Sequence, residues 1–401
     1  MDGASGRPVV KKTAHLSPDA PREKYSTDIR LKREVDFQMK SRDRVITALN
    51  HEEPDRCPMQ ISFTPEFVDR LRSEVDLSTK KLHNPHGGGN TYELERFLGE
   101  DMLLTSVGWA NSYYMDSETY TDEWGITFKM AEYETKFGNG VYTEMSGFPL
   151  AEDGAIDTYL PPDPTRPELY EPTAQLIKNF QDDYWIVGVT VTTIFETAWA
   201  LRGLEQMLID FVTNPDLAER ILDIPFRYHL TAAKKLVEMG VDMIWTGDDM
   251  GQQHGMLISP DTWRTFFKPR MADYFASLRE INPDIKIAYH SDGNIEPIIP
   301  DLIDIGLDIL NPVQPACMDP AHLKKQYGDQ LCFWGSIDEQ HTLPFGSPDD
   351  VRREVIERLT TIGKGGGLII GPTHHVLLDT PMENFHALRD TILQTPYSSL
   401  A

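Results

Sequence analysis

The chain has 401 residues, enough for one large domain or two average ones, and either has ample core. Its 38 basic and 63 acidic residues leave a formal net charge of -25, which repels nucleic acid and anionic membranes and weighs against a polyanionic substrate. No apolar signal-peptide core opens the chain, no apolar run is long enough to span a bilayer, and Cys57, Cys317 and Cys332 form neither a disulfide framework nor a metal knuckle. A soluble cytoplasmic protein with reduced cysteines is expected.

Residues 1–40 are polar, rich in Pro, Lys and Arg and without apolar periodicity, which predicts a flexible N-terminal arm. Ordered structure is expected from Ser41, where Ser41-Arg42-Asp43-Arg44 leads into Val45, Ile46, Ala48 and Leu49 as a short N-capped helix. Short apolar runs then alternate with segments of helical period. The expected strands are Cys57–Ser62, Met102–Val107, Trp185–Val191, Asp242–Thr246, Lys286–His290, Leu307–Asn311, Leu331–Gly335 and Gly367–Gly371. Helical patterns such as Leu204–Val212 and Pro215–Met239 lie between them. Eight strands alternating with helices predict an α/β fold, a single (β/α)8 TIM-type barrel over residues 41–395, with 396–401 as a C-terminal tail. A doubly wound open sheet fits less well, because no Gly-rich phosphate loop follows the first strand.

One stretch, about 108–183, interrupts the alternation. It carries Trp109, Tyr113, Tyr114, Tyr120, Trp124, Phe128, Tyr133, Phe137 and Tyr142 among Thr, Asp and Gly, which predicts an antiparallel β-rich insertion between strands 2 and 3. Such an insertion would cover the barrel mouth as a lid. An aromatic mini-core remote from substrate stands beside that possibility.

In a barrel the chemistry sits where the strands end. The fifth ends in Tyr289-His290-Ser291-Asp292-Gly293-Asn294, and His290 and Asp292, two apart in extended chain, point to the same side. Histidine carries protons and binds metals, and Asp292 would orient it or bind metal itself. The fourth ends in Thr246-Gly247-Asp248-Asp249-Met250-Gly251-Gln252-Gln253, where paired acids are costly unless they coordinate, hydrogen-bond or face solvent. Here Asp248 reads as a catalytic acid, and Asp249 and Gln252 as substrate-binding residues. Glu196, after the third strand, is a candidate ligand or acid, with a solvated loop glutamate as the plainer alternative. Ser336, after the seventh, brings backbone amides toward a substrate anion. The eighth ends in Gly371-Pro372-Thr373-His374-His375, ahead of a helix start at Asp379-Thr380-Pro381. One of these two histidines is expected to be functional, and the residues alone leave open which. His290, Asp292 and one of that pair, with Glu196, have the donor types of a zinc site that keeps a position open for substrate. No HExxH motif is present.

These segments resemble the uroporphyrinogen decarboxylase superfamily, which includes methyltransferases that move methyl groups between corrinoid proteins and thiols. The resemblance covers roughly residues 40–395. It is carried by Ser41-Arg42-Asp43-Arg44-Val45, His51-Glu52-Glu53-Pro54-Asp55-Arg56-Cys57-Pro58, Gly247-Asp248-Asp249, His290-Ser291-Asp292-Gly293-Asn294, Gly335-Ser336-Ile337-Asp338 and His374 ahead of Asp379-Thr380-Pro381. It implies a single barrel with its site at the C-terminal mouth, His374 at the family's site position, and His375 beside it where relatives have glycine. The family's decarboxylases carry an Arg-Gln-Ala-Gly-Arg segment whose arginines grip substrate carboxylates. Here that region reads Met59-Gln60-Ile61-Ser62-Phe63-Thr64, without arginine. The thiol methyltransferases hold zinc with a His-x-Cys pair and a later Cys, whereas this chain offers His290-x-Asp292 and His374.

Together these features point to a corrinoid-linked, methyltransferase-like enzyme for a small-molecule substrate, with zinc on His290, Asp292 and His374 and an acceptor other than coenzyme M. The corrinoid would come on a separate protein, because no Asp-x-His-x-x-Gly motif occurs in the chain. The alternatives are a metal-free decarboxylase of uroporphyrinogen or a related acid, and a barrel that has lost activity and serves as a binding subunit. The family further implies a homodimer.

Overall fold

A computed structural model of the chain describes residues 39–75, 77, 90–107 and 117–400. The expected arm therefore lies almost wholly outside the described residues, as do Trp109, Tyr113 and Tyr114. In chain order the strands are β1 (Met102–Ser106), β2 (Thr119–Thr121), β3 (Thr127–Thr135), β4 (Gly138–Gly147), β5 (Trp185–Val189), β6 (Met243–Gly247), β7 (Gly251–Gln252), β8 (Gly255–Met256), β9 (Lys286–His290), β10 (Ile309–Asn311), β11 (Cys332–Ile337) and β12 (Leu368–Pro372). Seven of them form one sheet in the order β1-β5-β6-β9-β10-β11-β12, with every pair parallel. Helices such as Leu204–Thr213 and Pro215–Met239 run between successive strands, the βαβ progression that the alternating pattern predicted.

Because side chains alternate along a strand, the sheet divides its apolar residues between two cores. Met102, Leu104, Trp185, Val187, Met243, Trp245, Ile309, Trp334 and Ile369 pack together on the face that the sheet encloses. Their neighbours Leu103, Ile186, Ile244, Ile287, Leu310, Phe333 and Leu368 join the larger core shared with the helices. This two-sided burial is why the strands read as continuous apolar runs.

The helix Ser41–Leu49 lends Val45 and Leu49 to the enclosed core, and so plugs the end of the sheet where the strands begin. Its N-cap falls on Lys40 and no side chain caps it, so the expected cap is not made. Tertiary bonds hold the helix instead: Arg42 reaches Asp242, just ahead of β6, at 2.6 Å. Arg44 Nη1 lies 2.6 Å from Asp101 Oδ1, just ahead of β1.

The expected first strand, Cys57–Ser62, is not a regular one. Residues 57–63 run beside β12 and the segment that follows it through isolated parallel bridges, Met59 to Ile370 in β12, then Phe63 to Val376 beyond it. Pro58 has no N–H to give, and the Met59 N–H goes to the Asp101 carboxylate at 2.8 Å. One edge of the segment is thus bonded to a side chain where a ladder would run. Gly371 permits the approach, since a Cβ there would stand 2.0 Å from the Gln60 carbonyl oxygen.

The insertion contains an antiparallel sheet, β2-β3-β4, as its composition predicted. Its second part is not β: Glu171–Phe180 is a helix that packs on β1 and β5. All three cysteines are free thiols, with Cys57 and Cys332 buried. No helix among the described residues is long and apolar enough to cross a membrane.

Candidate active site

The parallel register sets His290, the last residue of β9, between Gly247 of β6 and Asn311 of β10. Gly247, at φ 123°, allows this, because a Cβ there would stand 2.2 Å from the His290 carbonyl oxygen. The two acids that follow Gly247 then diverge. Asp248 is buried and accepts from the Ile194 N–H at 3.0 Å and the Glu196 N–H at 3.1 Å, anchoring the start of the helix Phe195–Arg202. Burial pushes its carboxyl up to about 6. Asp249 faces the other way. Its Oδ1 accepts from the Asp292 N–H at 2.8 Å and lies 3.6 Å from His290 Nε2.

Asp292 Oδ1 lies 4.0 Å from the same nitrogen and is buried with no hydrogen-bond partner. One donor atom each from Asp249, His290 and Asp292 fall within 4.8 Å of one another. Burial raises the Asp292 carboxyl above its ordinary value, against the pull of His290 and His374. Glu196 closes the group, its Oε2 accepting from the Asp249 N–H at 3.2 Å. Burial, then the charges of Asp249 and Asp248, push the Glu196 carboxyl well above the usual carboxylate range.

This group opens on a cavity of about 740 Å³. The β3–β4 hairpin supplies one wall through Tyr133, Val141, Tyr142 and Met145. β6, β9 and β11 supply Trp245, His290 and Trp334, the helix Phe195–Arg202 supplies Trp199, the turn after β12 supplies His374 and His375, and Gln60, Ser62 and Thr64 line the side of the 57–63 segment. Carboxylates contribute Glu66, Glu134, Glu196, Asp249 and Asp379, while no Lys or Arg lines the cavity among the described residues.

Of the residues singled out in the sequence, His290, Asp292, Asp249 and Glu196 come together. His374 lines the same cavity, with its ring 4.9 Å from that of His375, but stands outside the triad. Asp249, read as a substrate-binding residue, takes the third place. Gln252 is exposed in the short β7–β8 hairpin, bonded to the Met256 carbonyl at 3.3 Å and away from the cavity. Ser336 is buried and its N–H is committed to the Pro312 carbonyl at 2.9 Å, so it offers no amide to a substrate anion. Sequence reasoning missed Asn311, whose Oδ1 lies 2.7 Å from His290 Nδ1. Its only trace was an amide closing the apolar run Leu307–Asn311, and Asn before Pro ordinarily signals a turn.

The donor set fits a metal ion of the zinc type: one imidazole nitrogen and two carboxylate oxygens, one of them buried and unpartnered.

Comparisons with known proteins agree with this architecture. Over 177 residues the chain is 30% identical to the methylcobamide:CoM methyltransferase MtaA of Methanosarcina barkeri, covering 44% of this chain and 49% of that protein. Over 181 residues it is 25% identical to the uroporphyrinogen decarboxylase of Psychromonas ingrahamii, covering 42% of this chain and 49% of that protein. The chain thus spans about half the length of the curated relatives it matches. A solved methyltransferase from Methanosarcina mazei shares the fold, with a TM-score of 0.66 at 21% identity over 89% of this chain and 99% of that one. The model of the uroporphyrinogen decarboxylase (URO-D) family matches residues 126–394, and the chain belongs to that family.

Proposed function

We propose that the protein is a corrinoid-linked methyltransferase, built on a barrel that residues 57–63 close as an eighth stave, with the β3–β4 hairpin as one wall of its substrate cavity. The observation that carries the proposal is the Asp249–His290–Asp292 triad at a cavity lined by no Lys or Arg among the described residues. A metal ion held by these three residues would supply Lewis acidity to the heteroatom that gains or loses the methyl group.

The chain's own residues do the rest. Glu196, whose carboxyl burial and the neighbouring acids push upward, holds the Asp249 backbone N–H through Oε2 and stands beside the triad. Trp199, Trp245 and Trp334 offer apolar faces that exclude water from the methyl group. His374, which lines the cavity, would take or give the proton of the methyl carrier. The corrinoid would arrive on a separate protein docked at the mouth.

Decarboxylation of a tetrapyrrole is the second reading, and the cavity disfavours it. A substrate with many carboxylates needs cationic partners, and the wall where the decarboxylases carry arginines presents Gln60, Ser62 and Thr64. The methyl carrier that fits such a lining is uncharged or cationic. The test is to incubate zinc-reloaded protein with methylcobalamin and a panel of neutral thiols, alcohols and amines, following loss of the methylcobalamin absorbance. Transfer that disappears in His290→Ala is expected. Turnover of uroporphyrinogen without any methyl transfer would reverse the order of the two readings.

A further inference from the structure

We propose that Asn311 is a positioning residue that holds His290 in one tautomer, with the proton on Nδ1 and the Nε2 lone pair turned toward Asp249 and Asp292. Asn311 Oδ1 lies 3.0 Å from Trp245 Nε1 and 2.7 Å from His290 Nδ1, and its Nδ2 lies 3.2 Å from the Trp334 carbonyl oxygen. An indole N–H can only donate and a carbonyl can only accept. The amide therefore cannot be turned over: its oxygen must face Trp245 and its nitrogen must face Trp334. That leaves an acceptor in front of His290 Nδ1, which must then carry the proton. In a neutral imidazole the other nitrogen is bare.

The surroundings enforce this arrangement. Asn311 is 4% exposed, so water has little access to replace its bonds. Trp245 and Trp334 sit in the enclosed core with ring centroids 4.7 Å apart, and the Asn311 carbonyl accepts from the Ser291 N–H at 3.0 Å. On the far side of the ring, Nε2 stands 3.6 Å from Asp249 Oδ1 and 4.0 Å from Asp292 Oδ1. Those separations are too long for hydrogen bonds. They suit three donors that converge on a shared cation. The orientation thus starts in the enclosed core, passes through one amide, and ends at the nitrogen that would bind metal. Its purpose rests on the metal-site reading above; its geometry does not.

The test uses isotope-labelled histidine in the metal-free protein at about pH 8, where an ordinary imidazole is neutral. Two-bond proton–nitrogen correlations assign the His290 tautomer, and competition with a chromogenic chelator gives the zinc affinity. We expect wild type to show the proton on Nδ1. Asn311→Leu should shift the population toward Nε2–H, which can then bond to Asp249, and weaken zinc binding by about 10–100-fold. Asn311→Asp keeps an acceptor at the same place and should restore both the tautomer and most of the affinity. A wild-type proton on Nε2 would overturn the assignment, as would an Asn311→Leu protein whose tautomer and zinc affinity both match wild type. If wild type binds no zinc, the metal reading fails, while the tautomer still decides the role of Asn311.

Discussion

At the end of the sheet where the strands begin, Asp101 is wholly buried between two arginines, 2.6 Å from Arg44 and 2.7 Å from Arg56. Asp55 completes that group at 2.6 Å from Arg44. At the opposite end Glu196, Asp248, Asp249 and Asp292 gather near His290, with no Lys or Arg in the cavity lining among the described residues. The first cluster balances two guanidinium groups against two carboxylates. The second holds carboxylates facing one another and a histidine. Buried charge is tolerated when it is paired, so the first works as a lock on the fold. The second has no such charge balance among the residues described, and perturbed carboxylates gathered beside a cavity mark a candidate site.

The largest effect should come from breaking the paired end. Asp101→Ala leaves Arg44 and Arg56 buried without their shared partner, and chemical denaturation should show a loss of about 3–5 kcal/mol. A loss no greater than about 1 kcal/mol, as for an exposed pair, would remove the lock from the account.

At the unpaired end the sign should invert. Zinc at about a hundred times its dissociation constant should stabilise wild type by about 2.7 kcal/mol. In Asp292→Asn that gain should vanish, while the metal-free variant is at least as stable as metal-free wild type. A metal-free Asp292→Asn protein clearly weaker than wild type would show that the carboxylate serves the fold.

The pH dependence sharpens the contrast. Burial alone would raise the Asp55 carboxyl, but the hydrogen bond and charge of Arg44 hold it below the ordinary range. Its contribution is therefore present at neutral pH and lost as the pH falls through that depressed value. Wild type should exceed Asp55→Asn at neutrality, with the gap closing only in acid. Asp292 is raised, chiefly by burial, so ionising it weakens the metal-free fold at high pH. There Asp292→Asn should be the more stable protein, and its advantage should fade as the pH falls toward the ordinary carboxylate range. Thermal melts of the metal-free pairs across pH would reveal any shared trend, which would break the comparison.

The smallest effect is expected at the rim of the paired end. Lys40 and Asp183 lie 2.8 Å apart but are both exposed. Lys40→Ala should leave the denaturation midpoint where it was, and a measurable drop would mean that proximity alone, without burial, carries stability there.

The two ends also differ in how far the sequence revealed them. Lys286–His290 was legible residue for residue, because a run buried on both faces is continuous in apolar character. Cys57–Ser62 was apolar too, yet Asp101 takes the hydrogen bond that a ladder would need, and that contact crosses 42 residues. His290 and Asp292 were legible from their spacing in extended chain. The different fates of Asp248 and Asp249 were not, because the N–H groups of Ile194 and Glu196 that claim Asp248 come from another strand's end. Asn311 was illegible for the same reason. Its meaning lies in Trp245, Trp334 and His290, contributed by β6, β11 and β9.

The central claim is that Asp249, His290 and Asp292 form a metal site, and metal content per chain after chelation and zinc reloading tests it most directly. Elemental mass spectrometry should find close to one zinc per chain in wild type and almost none in Asp249→Ala, His290→Ala and Asp292→Ala. A reloaded, folded wild type without metal, or single variants that all keep it, would contradict the account.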